Sequence, residues 1–570
     1  MRTRLYVKEV EDRLEALKSK MDEKKHIVDE QLKKDLDGQK KYVIFLSVGN
    51  PEIRARVIKA CSNQYEAAWK KAKRSLLALV QKRYIVPQWI KADIVSNIEK
   101  WDYFSLENYL EKVKRNYFRK GLAFDDEFRL AFLEQEINGY AMIRRTNDGP
   151  QSLDEKNINN YLQYNGIHTI FSKRLYQNKT IYPFKTLGFF DENGEVYELY
   201  DGELTNGIRK VERLDTEIYQ LIKQSTHFLT SQIKENGQFA YGYFPCFSKK
   251  IKTYNILRHA STLYAMAEGY ELLRDQNILR AIERGIRYLI DHSIVYYDDR
   301  AYVVDVANDS EIKLGSNAHA ILALTKLMEV TGSDQYLDIA RDLGKAILWM
   351  QKDDGGFLHV WDYPSFALKD AFRTVYYDGE AVFALLRLYG SDRQDQWLEA
   401  VKKSFDYLIE HDYWQYHDHW LSYAANELTM YAPEDKYFMF GLKNCQGKLN
   451  FIYHRNSTYP TFLELTMAAF KMVKKIKELN KHDLLQYIDT EFLLQTIDKR
   501  AEYQRVGFCY PEIAMYFKRP ALVLHGFFIR HQAFRVRIDD IEHNLSGYCH
   551  YLMYRVPEWG ETENFTLTNI

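Results

Sequence analysis

Several large classes of protein are disfavoured by what the sequence has little of. The five cysteines, Cys61, Cys246, Cys445, Cys509 and Cys549, are odd in number, far apart and without a C-x-x-C pair. That argues against a disulfide framework and a zinc knuckle, and fits a reducing, cytoplasmic setting. There is no excess of charge: 79 Lys and Arg balance 79 Asp and Glu, so no global field draws the chain to nucleic acid or to an anionic membrane. No apolar run is long enough to span a bilayer, and the opening MRTRLYVKEVEDRLEALKSK lacks the apolar stretch of a secretory signal. The segment SVGNPEIRAR has one glycine where a phosphate loop needs several, so no nucleotide-binding motif and no cofactor are expected.

What is present is a chain of 570 residues, 46% hydrophobic, with room for two to four domains of roughly 150 residues. Lysine- and tyrosine-rich usage suggests a bacterial source. Val10, Leu14, Leu17, Met21 and Val28 recur at helical spacing, so residues 1–40 are expected to hold an amphipathic charged helix. The charged Lys24 in the heptad series favours packing on its own domain over a coiled coil. Strand and helix patterns alternate over 41–145, which implies an α+β domain. The same N-terminal residues, 1–145, offer a surface for a possible protein partner. The polar turns RTNDGPQS, DENGE and DGELTNG make 146–210 a linker or β-rich lid.

Residues 211–500 are helical and repeat. DQNILRAIERGIRYLIDH, DQYLDIARDLGKAILWMQ and DQWLEAVKKSFDYLIEH each start on Asp-Gln and keep their apolar residues to one face. Between them lie helices apolar nearly all round and rich in alanine, such as NILRHASTLYAMAEGYELL and DGEAVFALLRLYG, which suit an element surrounded by others. Two alternating helix classes at a period near 60 residues mark a repeat architecture. The fold class expected is mainly α: an α/α toroid of about five to six hairpins preceded by a small α+β domain. An open solenoid is the alternative. Residues 501–570 are expected as a C-terminal extension with short strands packing on the toroid.

Gln232 and Gln351 each close an outer helix before an (Asp/Asn)-Gly-x-Phe turn, in SQIKENGQFAYGYF and WMQKDDGGFLHVWDY. These turns and the alternating helices resemble the six-hairpin toroids of carbohydrate-active enzymes of the N-acylglucosamine 2-epimerase and unsaturated glucuronyl hydrolase types. The resemblance is architectural and covers about half of the chain. It implies hydrolysis or epimerisation of a saccharide. Type II terpene cyclases and lanthionine synthetase cyclases share the toroid, but their D-x-D-D acid and their Cys and Cys-His-Gly zinc ligands have no counterpart here.

If the alanine-rich helices run parallel, their N-termini open on one rim. Asn255, Arg258 and His259 stand at the first start, Ser316, Asn317 and His319 at the second, Tyr376, Tyr377, Asp378 and Glu380 at the third. Asp418, His419 and Trp420 begin the fourth, and Asn456, Ser457 and Thr458 the fifth. No comparable polar density is expected at the far end. Caps account for several of these residues. On the fourth helix His419, Tyr423, Asn426 and Glu427 share a face. Glycoside cleavage would draw its two carboxylates from Asp378, Glu380, Asp418 and Glu427. Epimerisation would draw paired bases from His259, His319 and His419. Asn255, Arg258, Asn317, Tyr376, Tyr377, Trp420, Tyr423 and Asn426 are candidate substrate contacts. The positive helix ends together with Arg258 favour an acidic saccharide or another anionic small molecule. A metal held by Asp539, Asp540 and His543 is weakly suggested, pairing of the acids with Arg535 or Arg537 is favoured, and no metal is expected. Two other readings stand beside the enzyme: a non-catalytic scaffold or partner subunit of a polymer-biosynthesis enzyme, and an isoprenoid cyclase using Asp353 or Asp354.

Overall fold

A computed structural model describes residues 2–35, 41–83, 85–145 and 149–556, which divide into two units. The first takes the chain up to 212 together with 243–250 and 506–536, and the second takes 213–242, 251–505 and 537 onward. Among the described residues no helix is long and apolar enough to cross a membrane.

In the first unit helix α1 (Arg2–Asp35) buries Val10, Leu14, Leu17, Met21, Val28 and Leu32 on one stripe. The stripe packs on an antiparallel sheet rather than on a second helix of its kind. Arg13 anchors the helix to that sheet, bonding Asp191 and the carbonyls of Pro87 and Gln88. Strands β1 (Tyr42–Asn50), β2 (Ile53–Ser62) and β3 (Trp89–Ile98) form one side of the sheet, with α2 (Tyr65–Arg83) joining β2 to β3. Registers are Ile44 opposite Ala60 and Ile94 opposite Ile44. β1 and β3 are buried residue after residue, as a strand covered on both faces must be. Short helices α3 (Tyr103–Lys112), α4 (Glu134–Gly139) and α5 (Glu155–Tyr164) follow. The stretch 146–210, expected as a linker or lid, instead supplies the strand Tyr182–Glu192, which pairs with β3 through Ile94 and Leu187. Its burial does not alternate, so the turn residues around it dominate its reading in the sequence.

The second unit is a ring of helical hairpins. Its outer helices are α6 (Leu214–Gln232), α8 (Gln276–Ser293), α10 (Leu337–Met350), α12 (Asp395–Glu410), α14 (Asp435–His454) and α16 (Thr490–Gln504). Its inner helices are α7 (Ile256–Leu273), α9 (Leu314–Thr331), α11 (Tyr376–Asp392), α13 (His419–Tyr431) and α15 (Thr461–Glu478). After α16 the chain enters the first unit, forming α17 (Pro511–Ala514) there, and returns as a sixth inner helix, α18 (Ile538–His550). Around the ring the inner neighbours run α7, α9, α11, α13, α15, α18 and back to α7. The toroid is therefore closed, not an open solenoid. α18 overlaps the stretch 534–548, whose start reads as a strand in the sequence, because the inserted segment breaks the repeat just before it.

The two helix classes follow from the two environments. Outer α8 buries Ile278, Ala281, Ile282, Ile286 and Leu289 along one stripe, whereas inner α9 is buried almost throughout. An (i, i+3, i+4) stripe serves a helix with one neighbour layer, and small apolar residues all round serve one enclosed by others.

The packing of α1 gives a first prediction. L14A, which removes a fully buried side chain, lowers the unfolding free energy by about 2–5 kcal/mol. K24A, at a partly exposed lysine, changes it by less than about 0.5 kcal/mol. Urea denaturation monitors both, and the midpoint does not vary with protein concentration, as a coiled-coil dimer's would.

Candidate functional site

Inner helices that each follow an outer one in a closed ring run parallel, and side-chain contacts bear this out turn by turn. At the N-terminal ends Arg258 Nε donates to Asp539 Oδ2 at 2.8 Å and Ser261 Oγ to Glu542 Oε2 at 2.7 Å. His319 Nδ1 lies 3.6 Å from Glu380, and Glu464 Oε2 lies 3.9 Å from His419 Nε2 and 3.1 Å from His543 Nδ1. The C-terminal ends have their own set, with Lys326 at 2.6 Å from Glu271, Arg387 at 3.2 Å from Glu427 and His550 at 3.1 Å from Glu268. The six N-termini thus share one bowl.

The middle of the bowl holds a carboxylate between two imidazoles. The rings of His419 and His543 stand edge to face, 5.1 Å between centroids, with Glu464 reaching both. His419 Nε2, Glu380 Oε2 and His319 Nε2 are buried without a hydrogen-bond partner, while Glu464 Oε2 and His543 Nδ1 have each other at 3.1 Å. Such groups each cost about 1–3 kcal/mol when left unmet, which marks the bowl as built for something other than stability. A cavity of about 260 Å³ reaches His419 between Tyr376, Tyr459 and Arg455.

Burial and mutual repulsion set the protonation states. Glu380 is pushed well above the carboxylate range by burial, then by Asp418 and Glu542, which favours its protonated form. Burial raises Glu542 to about 7. Burial pulls His543 down, but Glu542 and Glu464 outweigh it and carry the imidazole to about 10. Gly315 makes room for Glu380, since a Cβ there would collide with its carboxylate.

Other candidates are spent on structure. Asn255 caps α7 through the amides of Leu257 and Arg258. His259 is fully buried between the Tyr254 hydroxyl at 2.8 Å and the Gly285 carbonyl at 2.9 Å, outside the bowl. Asn317 accepts from the Val303 amide and donates to the Lys313 carbonyl. Asp378 pairs with His359 at 3.1 Å. Asp418 caps α13 through the amides of Trp420 and Leu421 and touches His419 Nδ1 at 3.3 Å. Tyr376 is exposed at the rim and Tyr377 is buried against His359. Arg258 gives its charge to Asp539 and also bonds the Tyr241 hydroxyl, which removes the main support for an anionic substrate in the bowl.

The shared face on α13 divides. His419 belongs to the bowl, while Trp420 and Tyr423 join Phe383 and Tyr264 in an aromatic floor across the ring. Asn426 and Glu427, two turns and about 12 Å further along the axis, face the opposite end. There a cavity of about 440 Å³ is lined by Glu268, Lys326, Arg387, Glu427, Lys471 and others, so the far end does carry dense polar groups, contrary to the sequence reading.

Asp539 is occupied by Arg258 and Arg537, so the trio Asp539, Asp540 and His543 does not form a metal site. Among the described residues His419, Glu464 and His543 are the group that could grip a metal ion, their ligand atoms lying within 4.8 Å of one another. Asp353 and Asp354 are exposed, and Asp354 pairs with Lys352, which leaves a cyclase without an acid facing a dry cavity. Glu464, Glu542 and the bowl role of His543 escape a sequence reading. The one available signal was a lone charged residue inside an apolar, alanine-containing helix, as in TFLELTMAAF.

No family model and no curated protein matches the chain. Among solved structures it is similar to a sugar epimerase from a ruminal bacterium, at 15% identity and TM-score 0.46 over 60% of this chain and 98% of that one. It is also similar to cellobiose 2-epimerase from Bacillus thermoamylovorans B4167, at 12% and 0.45 over 59% and 99%. A third is a D-mannose isomerase, at 11% and 0.48 over 61% and 100%. The assignment of a toroid rests on the ring of helices itself.

Burial of two neutral histidines gives a pH prediction. His259 and His319 are lowered by burial from 6.5 to about 4 and about 3. Below 6.5 the unfolded chain takes up protons that the folded one refuses, so the stability these sites confer is present above pH 6.5 and lost as pH falls towards 4. Each contributes a slope of up to about 1.4 kcal/mol per pH unit in that window. Denaturation at pH 7 and pH 4.5 reads this loss, and H259F shows a shallower one.

Proposed function

We propose that the bowl of the second unit moves a proton on a carbohydrate, as an epimerase or aldose–ketose isomerase. The observation that carries the reading is the pair of imidazoles, His419 and His543, bracketing Glu464 among buried polar atoms with no partner. A hydrogen on carbon next to a carbonyl is acidic because its loss leaves a delocalised enediolate. The His419 imidazole takes the C2 proton of the open-chain sugar, the protonated His543 stands ready to return one, and the Glu380 carboxyl donates its proton to the carbonyl oxygen as charge develops there. Return of a proton to the other face of C2 gives the epimer, and return to C1 gives the ketose. Both routes conserve atoms and need no redox partner.

Glycoside hydrolysis fits less well. It needs one carboxylic acid and one free carboxylate, and of the four expected carboxylates Asp378, Asp418 and Glu427 are engaged by His359, by the α13 amides and by Arg387. The substrate favoured is an uncharged reducing saccharide, because Arg258 is neutralised by Asp539 and the bowl is otherwise rich in acids. The scaffold reading gains nothing from a bowl whose polar atoms are buried and unmet.

The test is exchange in D2O with mannose, glucose and cellobiose. The expected result is deuterium at C2 with formation of epimer or ketose, cut about 10²–10⁴-fold in H419N and H543N while their melting temperatures stay near that of the parent. Dialysis against a chelator leaves the rate unchanged. Release of new reducing ends without C2 exchange, or full activity in both variants, overturns the reading.

A further inference from the structure

At the other end of the ring lies a second, half-open cavity, beyond the floor of Phe383, Trp420, Tyr423 and Tyr264. Its volume of about 440 Å³ is within the range of small-molecule sites. Its wall has the same mark as the bowl: Arg387 Nε, Asn426 Oδ1, Glu268 Oε2 and His550 Nδ1 are buried with no hydrogen-bond partner. Asn426, Glu268 and His550 are each more than nine-tenths buried.

Five glutamates and five lysine or arginine side chains line this space, but their direct contacts are unevenly distributed. Lys326 is taken by Glu271 and Glu329, Arg387 by Glu329 and Glu427, and Glu268 by His550. Lys475 bonds only the neutral Asn426 carbonyl and Thr429 hydroxyl. Among the described residues Lys471, one turn before it on α15, has no carboxylate or carbonyl partner and sits 4.6 Å over the Tyr554 ring. Two ammonium groups one turn apart therefore share a cavity with no carboxylate in direct contact, Glu427 acting on both only from a distance. Burial draws both down to about 8, and Lys471 adds to the depression of Lys475. The C-terminal helix ends around them carry partial negative charge, which one last-turn lysine would offset but which leaves the unmet acceptors of Asn426 and Glu268 unexplained.

We propose that this cavity is a second ligand site, for a sugar-sized molecule bearing one anionic group, phosphate or carboxylate, together with hydroxyls. The anion lies against Lys471, Lys475 and the Nε of Arg387. The hydroxyls donate to Asn426 Oδ1 and Glu268 Oε2 and meet His550 Nδ1. Charge-assisted bonds hold the anion, and the acceptors on the opposite wall select a polyol over a bare ion. The site does not rest on the proton-transfer reading, because Lys471, Lys475, Arg387, Asn426, Glu268 and His550 are not the residues of the bowl.

Calorimetric titration of the full chain with glucose 6-phosphate, glucuronate and glucose tests it. At least one of the two anionic sugars binds, glucose binds at least about tenfold more weakly, and added salt weakens the anion's affinity. The two anionic arms separate phosphate from carboxylate. K471M weakens the anion about tenfold or more, while H543N, which disables the bowl, binds it as the parent does. N426A, which keeps both lysines, raises Kd for the sugar phosphate more than for inorganic phosphate. No binding of either anionic sugar at about 10 mM, equal binding of glucose, or an unchanged Kd in K471M overturns the proposal. Bowl chemistry failing in D2O would leave these results untouched.

Discussion

Closure of six parallel helices into one ring is the constraint on which the rest of the second unit depends. An open row of hairpins would scatter the helix starts along an edge. A closed row points them at a common axis, so residues from α7, α9, α11, α13, α15 and α18 meet though they come from six places in the chain. Small residues on the inner helices permit the approach: Gly315 leaves the space that the Glu380 carboxylate fills, and Gly379 does the same for Asp418.

The ring also separates two kinds of polar chemistry along one axis. At the N-terminal end the acids outnumber the cations, burial and neighbouring acids raise Glu380, the acids Glu542 and Glu464 raise His543, and the partial positive charge of six helix starts moderates the crowding. At the C-terminal end lysines and an arginine stand among glutamates, against the negative helix ends. The aromatic floor between them has few polar atoms, Tyr423 being the one residue that touches both sides through its hydroxyl near Glu464 and its ring against His550. Each end keeps buried donors or acceptors unmet, a cost the closed packing of the rest of the unit can carry.

Much of the architecture was legible in the sequence, because periodicity survives when the environment is regular. The stripe on α8 and the all-round apolarity of α9 read directly as outer and inner. What was lost shows where local pattern stops. His259 has the same sequence signature as His319, and only the positions of Tyr254 and Gly285 decide that it is a packing residue. On α13 the helical spacing of His419 and Glu427 is a fact of one face, but a face two turns long crosses from one end of the ring to the other. Glu464 and His543 gain meaning only from each other, across more than seventy residues that include a detour through the other unit. The strand Tyr182–Glu192 was hidden by flanking turns, since a central strand has no polar alternation to advertise it.

The detour has a consequence for how the protein is made. Arg258 meets Asp539 and Ser261 meets Glu542 across 281 positions of sequence, so the seam between α7 and α18 is among the last contacts a growing chain can form. Until Ile538–His550 emerges from the ribosome, five hairpins stand with two apolar flanks bare and His419 lacks its partner imidazole. Synthesis and competence are thereby coupled: a chain interrupted anywhere before that helix has a gap in the wall of both chambers, and closing the circle is the step that completes them together.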